Sequence, residues 1–153
     1  MARYEIGTNE MERLRLVLDT SVVISALRSR HGASNKLLQM TFLGSFKILA
    51  TPALFLEYED VLNREEHRAV HQLTPDRMNA FLIGLAGIIE PVRIYYHWRP
   101  QLRDADDEMV LETAINGSAE MIVTHNARDF VGAASRFNIR VVSPAFLLRE
   151  VTR

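Results

Sequence analysis

At 153 residues, 48% of them hydrophobic, the chain has the size and apolar content of one compact domain with a full core. A formal charge of −1 argues against a binder that works by bulk positive charge. The lack of cysteine excludes disulfides, zinc–thiolate sites and thiol nucleophiles, and fits a reducing cytoplasm. Sixteen of the eighteen cations are Arg, the residue best suited to phosphate, so an arginine rim around an acidic centre is compatible with the near-zero sum. No apolar run is long enough to cross a bilayer. Residues 1–12 are polar and lack the apolar stretch of a secretory signal. They read as an N-terminal extension to a single domain over 13–153.

In chain order, Leu14 to Leu18 is an apolar run that predicts a buried strand ending at Asp19. Helices are expected over Thr20–Ser29 and Ser34–Leu43, the second closed by Gly44. Phe46 to Ala50 is a second strand. Thr51-Pro52 and Thr74-Pro75 each place an N-cap Thr before a Pro at the first helical position. They predict helices to about Asn63 and Ile88, with a polar stretch, Arg64 to Gln72, between. Pro91 to Tyr96 reads as a third strand. Asp104 to Asn116 reads as a helix stopped by Gly117, and Met121 to Thr124 as a fourth strand. Ala127 to Phe137 is expected to be helical in part, Ile139 to Val142 a fifth strand, and Pro144 to Val151 a last helix. Strands that alternate with helices, and are apolar throughout, imply a three-layer α/β/α sandwich with a mainly parallel five-stranded sheet. Ligands of such folds sit beyond the carboxyl ends of the strands.

The acids are placed accordingly. Asp19 follows the first strand directly, with Thr20 and Ser21 beside it. Glu57 lies within the apolar stripe Leu54, Tyr58, Val61 and Leu62, where a lone carboxylate is costly unless it is paired or binds a cation. Asp107 shares the face of Val110, Leu111, Ala114 and Ile115, whereas Asp106 and Glu108 fall off it. Asp104 either caps that helix or approaches the same site. Thr124, Asn126 and Asp129 follow the fourth strand. Each residue has a plainer explanation: a turn or cap for Asp19 and Asn126, an Arg salt bridge for Glu57, the helix dipole for Asp106 and Asp107. Their convergence at one end of one sheet has a different one. Crowded like charges repel, and a divalent cation removes the conflict. Oxygen donors alone select Mg2+ or Mn2+ rather than zinc.

The ordered segments LDTSV, Pro52-x-Leu54 leading to Glu57-Tyr58, DADDEMVLETA and IVTHNARDF resemble the PIN-domain nucleases, in particular their VapC-type toxin branch. The resemblance spans about Leu14 to Leu148. It implies an endoribonuclease in which Asp19, Glu57 and Asp107 are the acidic metal ligands, and in which Asn126 stands where many members carry a fourth acid. Asp129 would then supply the missing charge. Thr124 and Asn126 would position the attacking water or the scissile phosphate. Ser21, Arg28, Arg103 and Arg128 would contact the RNA substrate. A cognate antitoxin protein and a homodimer belong to the same expectation.

Two rival readings follow from the residues. An inactive PIN-like module that binds RNA or a protein partner is suggested by Asn126. A phosphatase with Asp19 as nucleophile commonly has a second acid two residues on, and that position is Ser21. His67 and His71 have helical metal spacing but lack the intervening Glu of a zinc hydrolase.

Overall fold

The computed structural model describes residues 13–96 and 102–152; the expected N-terminal extension, 1–12, lies outside them. Five strands, β1 (Leu14–Leu18), β2 (Phe46–Ala50), β3 (Ile89–Pro91), β4 (Met121–Val123) and β5 (Arg140–Val142), form one sheet of order β3-β2-β1-β4-β5. Every pairing is parallel. Successive side chains of a strand point to opposite faces, and all three residues of β4 and four of the five of β1 are buried. Both faces of the sheet centre are therefore covered, as the uninterrupted apolar runs require.

The helices are α1 (Thr20–Arg28), α2 (Ala33–Phe42), α3 (Pro52–Leu62), α4 (Glu65–His71), α5 (Pro75–Ile88), α6 (Ala105–Asn116), α7 (Val131–Ser135) and α8 (Pro144–Val151). Side chains cap α3, α5 and α6 where the sequence expects, whereas α1, for which Thr20 or Ser21 is the expected cap, has Asp19 at its N-cap and no side-chain cap bond. Thr51, Thr74 and Asp104 accept hydrogen bonds from Leu54, Arg77 and Asp106 backbone N–H groups. Gly44 ends the α2 turn at φ +87°, a left-handed conformation open to glycine at little cost. The polar stretch after α3 does form a helix, α4, with none of its residues buried.

The third strand differs from its expectation over Pro91–Tyr96. Strand β3 is Ile89–Pro91, and its register with β2 ends at Pro91 opposite Ala50. Beyond Val92, whose N–H still reaches Ala50 O, no strand partner continues. The Asn116 side chain replaces one: its Oδ1 accepts from the N–H groups of Tyr95 and Tyr96, and its Nδ2 donates to Tyr96 O. The Asn116 amide thus ties the segment to the end of α6.

Connectivity places the ligand position. From β1 the chain moves outward through β2 to β3, then returns by α6 to β4 on the opposite side of β1. The order reverses between β1 and β4, and the crevice beyond their carboxyl ends is the switch point of the sheet. Helix α6 packs on β1, β2 and β4. At its end, a Cβ on Gly117 would stand 2.9 Å from Val92 Cγ2, 3.0 Å from Leu49 Cδ1 and 3.0 Å from Thr113 O. Gly117→Ala is expected to destabilise the fold by about 1–3 kcal/mol, the usual cost of overpacking. Urea denaturation measures this, and an unchanged midpoint would show that α6 can move off the sheet freely.

Candidate metal site

Asp19 is 5% exposed at the carboxyl end of the central strand. Its N–H donates to Val123 O, which joins β1 to β4 at the switch point. Oδ2 accepts two hydrogen bonds, from Ser21 Oγ at 2.8 Å and Thr124 Oγ1 at 2.6 Å. Oδ1 has no hydrogen bond among the described residues. Both hydroxyls are themselves acceptors, Thr124 Oγ1 from Asn126 N at 2.9 Å and Ser21 Oγ from His125 N at 3.3 Å. The turn after β4 is thereby built around the Asp19 carboxylate. The Asp19 side chain makes no cap bond to α1, so a capping role does not account for it.

Tyr58, fully buried on α3, donates its hydroxyl to Leu18 O. Burial, and then the charge of Asp19, push its pKa up, which keeps it a donor. This bond fixes α3 against the end of β1, and with it the neighbouring Glu57. Glu57 Oε1 is buried without a hydrogen bond. Arg64 Nη2 lies 3.6 Å from it, beyond good hydrogen-bond reach, and closer, at 3.1 Å, to Asp60 Oδ2. Burial raises the Glu57 pKa, Asp106 raises it further, and Arg64 only partly opposes them. The expected inward acid is therefore present, and a simple Arg salt bridge does not satisfy it.

Helix α6 carries the next acids on its first turn. Asp104 caps the helix, accepting from Asp106 N at 2.8 Å. Asp107 is half-buried, with its pKa pushed up to about 6 by burial first and then by Asp19, Asp104, Asp129 and Asp106. Neither Asp19 nor Asp107 forms an ion pair with Lys or Arg among the described residues. Asp107 thus feels Asp19 from the end of β1 and Asp129 from the turn after β4, whereas the acid acting most on Glu57, after burial, is Asp106. Glu108, placed off the inward face by its spacing, is buried, and its Oε1 accepts from Leu102 N. It secures the chain entering α6, a role that periodicity within one helix does not reveal.

The arginines divide between two openings. Arg103 and Arg128 line a cleft of about 440 Å³ together with Asp104, Asp107 and Asp129. Arg28 lies instead in a groove of about 630 Å³ bordered by Ser21 and His125. None of the three is ion-paired among the described residues. Asn126 is exposed and its side chain makes no cap bond to the short 3-10 turn Ala127–Asp129, which removes the plainest explanation for it. His71 is structural: Leu73 N–H donates to Nδ1, so Nε2 carries the proton and donates to Leu62 O. That use of both ring nitrogens leaves no metal pair with His67.

A PIN-domain family profile matches residues 15–128, from β1 through the turn after β4. The chain belongs to the PIN-domain family. PIN domains are in general nucleases, and typically use divalent metal ions. The fold is similar to that of FitAB bound to an IR36 DNA fragment, at 20% identity over 84% of this chain and 94% of that one, with a TM-score of 0.53. It is similar also to that of VapBC2 from Rickettsia felis bound to a DNA fragment from its promoter, at 14% identity over 85% and 98%, with a TM-score of 0.54. A search of curated proteins found no match.

For this PIN domain the donor set is the test of fit. No three acids or imidazoles among the described residues are grouped closely enough to hold an ion as they stand. The chemistry nevertheless fits a hard cation: the donors are oxygens, Glu57 Oε1 is buried without a hydrogen bond, and Asp107 is raised by four acids with no Lys or Arg paired to it among the described residues. No described helix is long and apolar enough to cross a membrane.

The Asp107 shift has a sign that can be measured. Its folded pKa of about 6 exceeds the ordinary 3.8, so between those values the folded chain binds more protons than the unfolded one. This group's contribution to stability therefore falls as pH rises from 3.8 to about 6. The difference in Tm between wild type and Asp107→Asn, taken in chelator, should shift against wild type across that window; a constant difference would show that Asp107 titrates normally. Thr124→Val removes the donor to Asp19 and the acceptor of Asn126 N–H. We expect it to cost about 1–3 kcal/mol in thermal or urea unfolding, because buried partners are left unmatched.

Proposed function

We propose that the chain is a Mg2+- or Mn2+-dependent endoribonuclease, the toxin component of a toxin–antitoxin pair. The observation that carries the reading is the set of acids from β1, α6 and the turn after β4 that raise the Asp107 pKa, with no Lys or Arg paired to Asp19 or Asp107 among the described residues. A divalent cation is the simplest partner for such a set. Its similarity in fold to two proteins named as two-component complexes, VapBC2 and FitAB, supports the toxin–antitoxin part. A protein antitoxin, a homodimer and a cytoplasmic location accompany that assignment.

In this reading Asp19 and Asp107 hold the ion, Glu57 completes or bridges the set, and Asp129 adds the charge that Asn126 lacks. The bound ion would supply Lewis acidity and a water of lowered pKa. Thr124 acts through Asp19, because its hydroxyl is already committed as donor to Oδ2 and acceptor from Asn126 N–H. Asn126 is left to orient the attacking water or the scissile phosphate. Arg103 and Arg128 flank the acids and suit a phosphodiester entering from that side, while Ser21 and Arg28 serve the other.

Calorimetry of Mn2+ binding, paired with cleavage of a single-stranded RNA, tests the assignment. Asp19→Asn and Asp107→Asn should each lose at least about 10-fold in metal affinity, in line with loss of a charged ligand, and cleavage should fall with it. Metal binding without cleavage in the wild type would favour the inactive module that Asn126 suggests. Cleavage that survives both substitutions would rule out a nuclease mechanism built on Asp19 and Asp107.

A further inference from the structure

The groove that holds Arg28 has features the acidic centre does not use. It runs between α1 and α4, with Ser21, Ile24 and Arg28 on one wall, His67 and Val70 on the other, and His125 at the end nearest Asp19. Its described lining residues include no carboxylate, although Glu66 Oε1 lies 3.6 Å from His67 Nε2, in contrast to the cleft at Asp107, whose walls include Asp104 and Asp129 themselves. A polyanion leaving the acidic centre would meet there a free guanidinium, serine hydroxyls and two apolar side chains.

His125 is fixed at the junction. Its backbone N–H is bonded to Ser21 Oγ, which is bonded in turn to Asp19. Its ring Nε2 lies 3.0 Å from Ser34 Oγ, on a serine that is 2% exposed. The residue is otherwise exposed, and a bond at the ring's edge leaves its faces for stacking. An exposed aromatic ring with a fixed orientation, one residue from Thr124 and beside an unpaired Arg, has the parts of a single-nucleotide seat. The volume, about 630 Å³, lies in the range of small-ligand sites.

We propose that this groove seats the nucleotide adjoining the scissile bond of single-stranded RNA, with the base stacked on His125 and a phosphate held by Arg28. The assignment rests on the nuclease reading for its substrate but concerns a different set of contacts. It makes His125 a determinant of which bonds are cut.

The test uses the full chain carrying Asp107→Asn, which blocks the acidic centre without touching the hydrogen bonds around His125. Binding of a labelled RNA octanucleotide of mixed sequence is followed by fluorescence anisotropy. Adding His125→Ala should weaken binding about 10-fold, within the range for loss of one base–aromatic stack. Adding His125→Phe instead should restore most of the affinity. Adding Arg28→Ala should weaken binding to all sequences alike and reduce the salt slope by about one. Mn2+ affinity of the single variant His125→Ala should match that of wild type. Unchanged RNA affinity in both the His125→Ala and Arg28→Ala chains would overturn the proposal and assign the groove to a protein segment. Absence of RNA binding by the Asp107→Asn parent would overturn it as well. If wild type fails to cleave while the groove variants still lose RNA, the nuclease reading falls and the groove stands.

Discussion

The arrangement depends on one carboxylate held at the end of the central strand. Asp19 is nearly buried, and a buried carboxylate must be satisfied or become protonated. Two hydroxyls, from Ser21 and Thr124, satisfy Oδ2, and each accepts a backbone N–H from the turn after β4. Tyr58 adds a bond from α3 to the carbonyl just before Asp19. The consecutive β1 and α1, and the more distant α3 and turn after β4, are registered against one another by these bonds. The two hydroxyl bonds share Oδ2, so Oδ1 has no hydrogen bond among the described residues.

The same edge of the sheet carries an electrostatic load that is offset only in part among the described residues, by Arg64 at Glu57. Asp107 is raised by burial and by four other acids, and Glu57 by burial and Asp106. Natural proteins tolerate such local conflict where function requires it and offset it elsewhere. Here the offset is a continuous core that runs from Leu14 through Leu147 beneath the site. The arginines stand around the acids rather than against them, with Arg103 and Arg128 on one side and Arg28 on the other. A net charge of −1 is therefore compatible with acids grouped beside arginines on the same edge.

Membership of the PIN-domain family fits this division of labour. The match covers β1 to the turn after β4, the span that contains Asp19, Glu57, Asp107 and Asn126. Helix α8 and strand β5 lie beyond it and complete the sheet and its cover. Outside the acids, Arg28, Arg103 and Arg128 carry no ion pair among the described residues, whereas His125 is tied by its ring to the buried Ser34 hydroxyl.

Much of the secondary structure was legible because local rules sufficed. Apolar runs marked β1 and β2, and Thr-Pro pairs marked the starts of α3 and α5. Inward placement of Glu57 and Asp107 could be read from helical spacing alone. Tertiary structure decided what depends on partners from elsewhere in the chain. Strand β3 stops at Pro91 because β2 offers no further partner, and Asn116 takes over the backbone of Tyr95 and Tyr96. Glu108 is buried because the chain entering α6 folds back to it, and Arg28 is parted from Arg103 and Arg128 because α1 and α6 border different openings. Periodicity within a helix marks the face turned to the core; only the packing of one segment on another decides what that face meets, and which residues off it, such as Glu108, are buried as well.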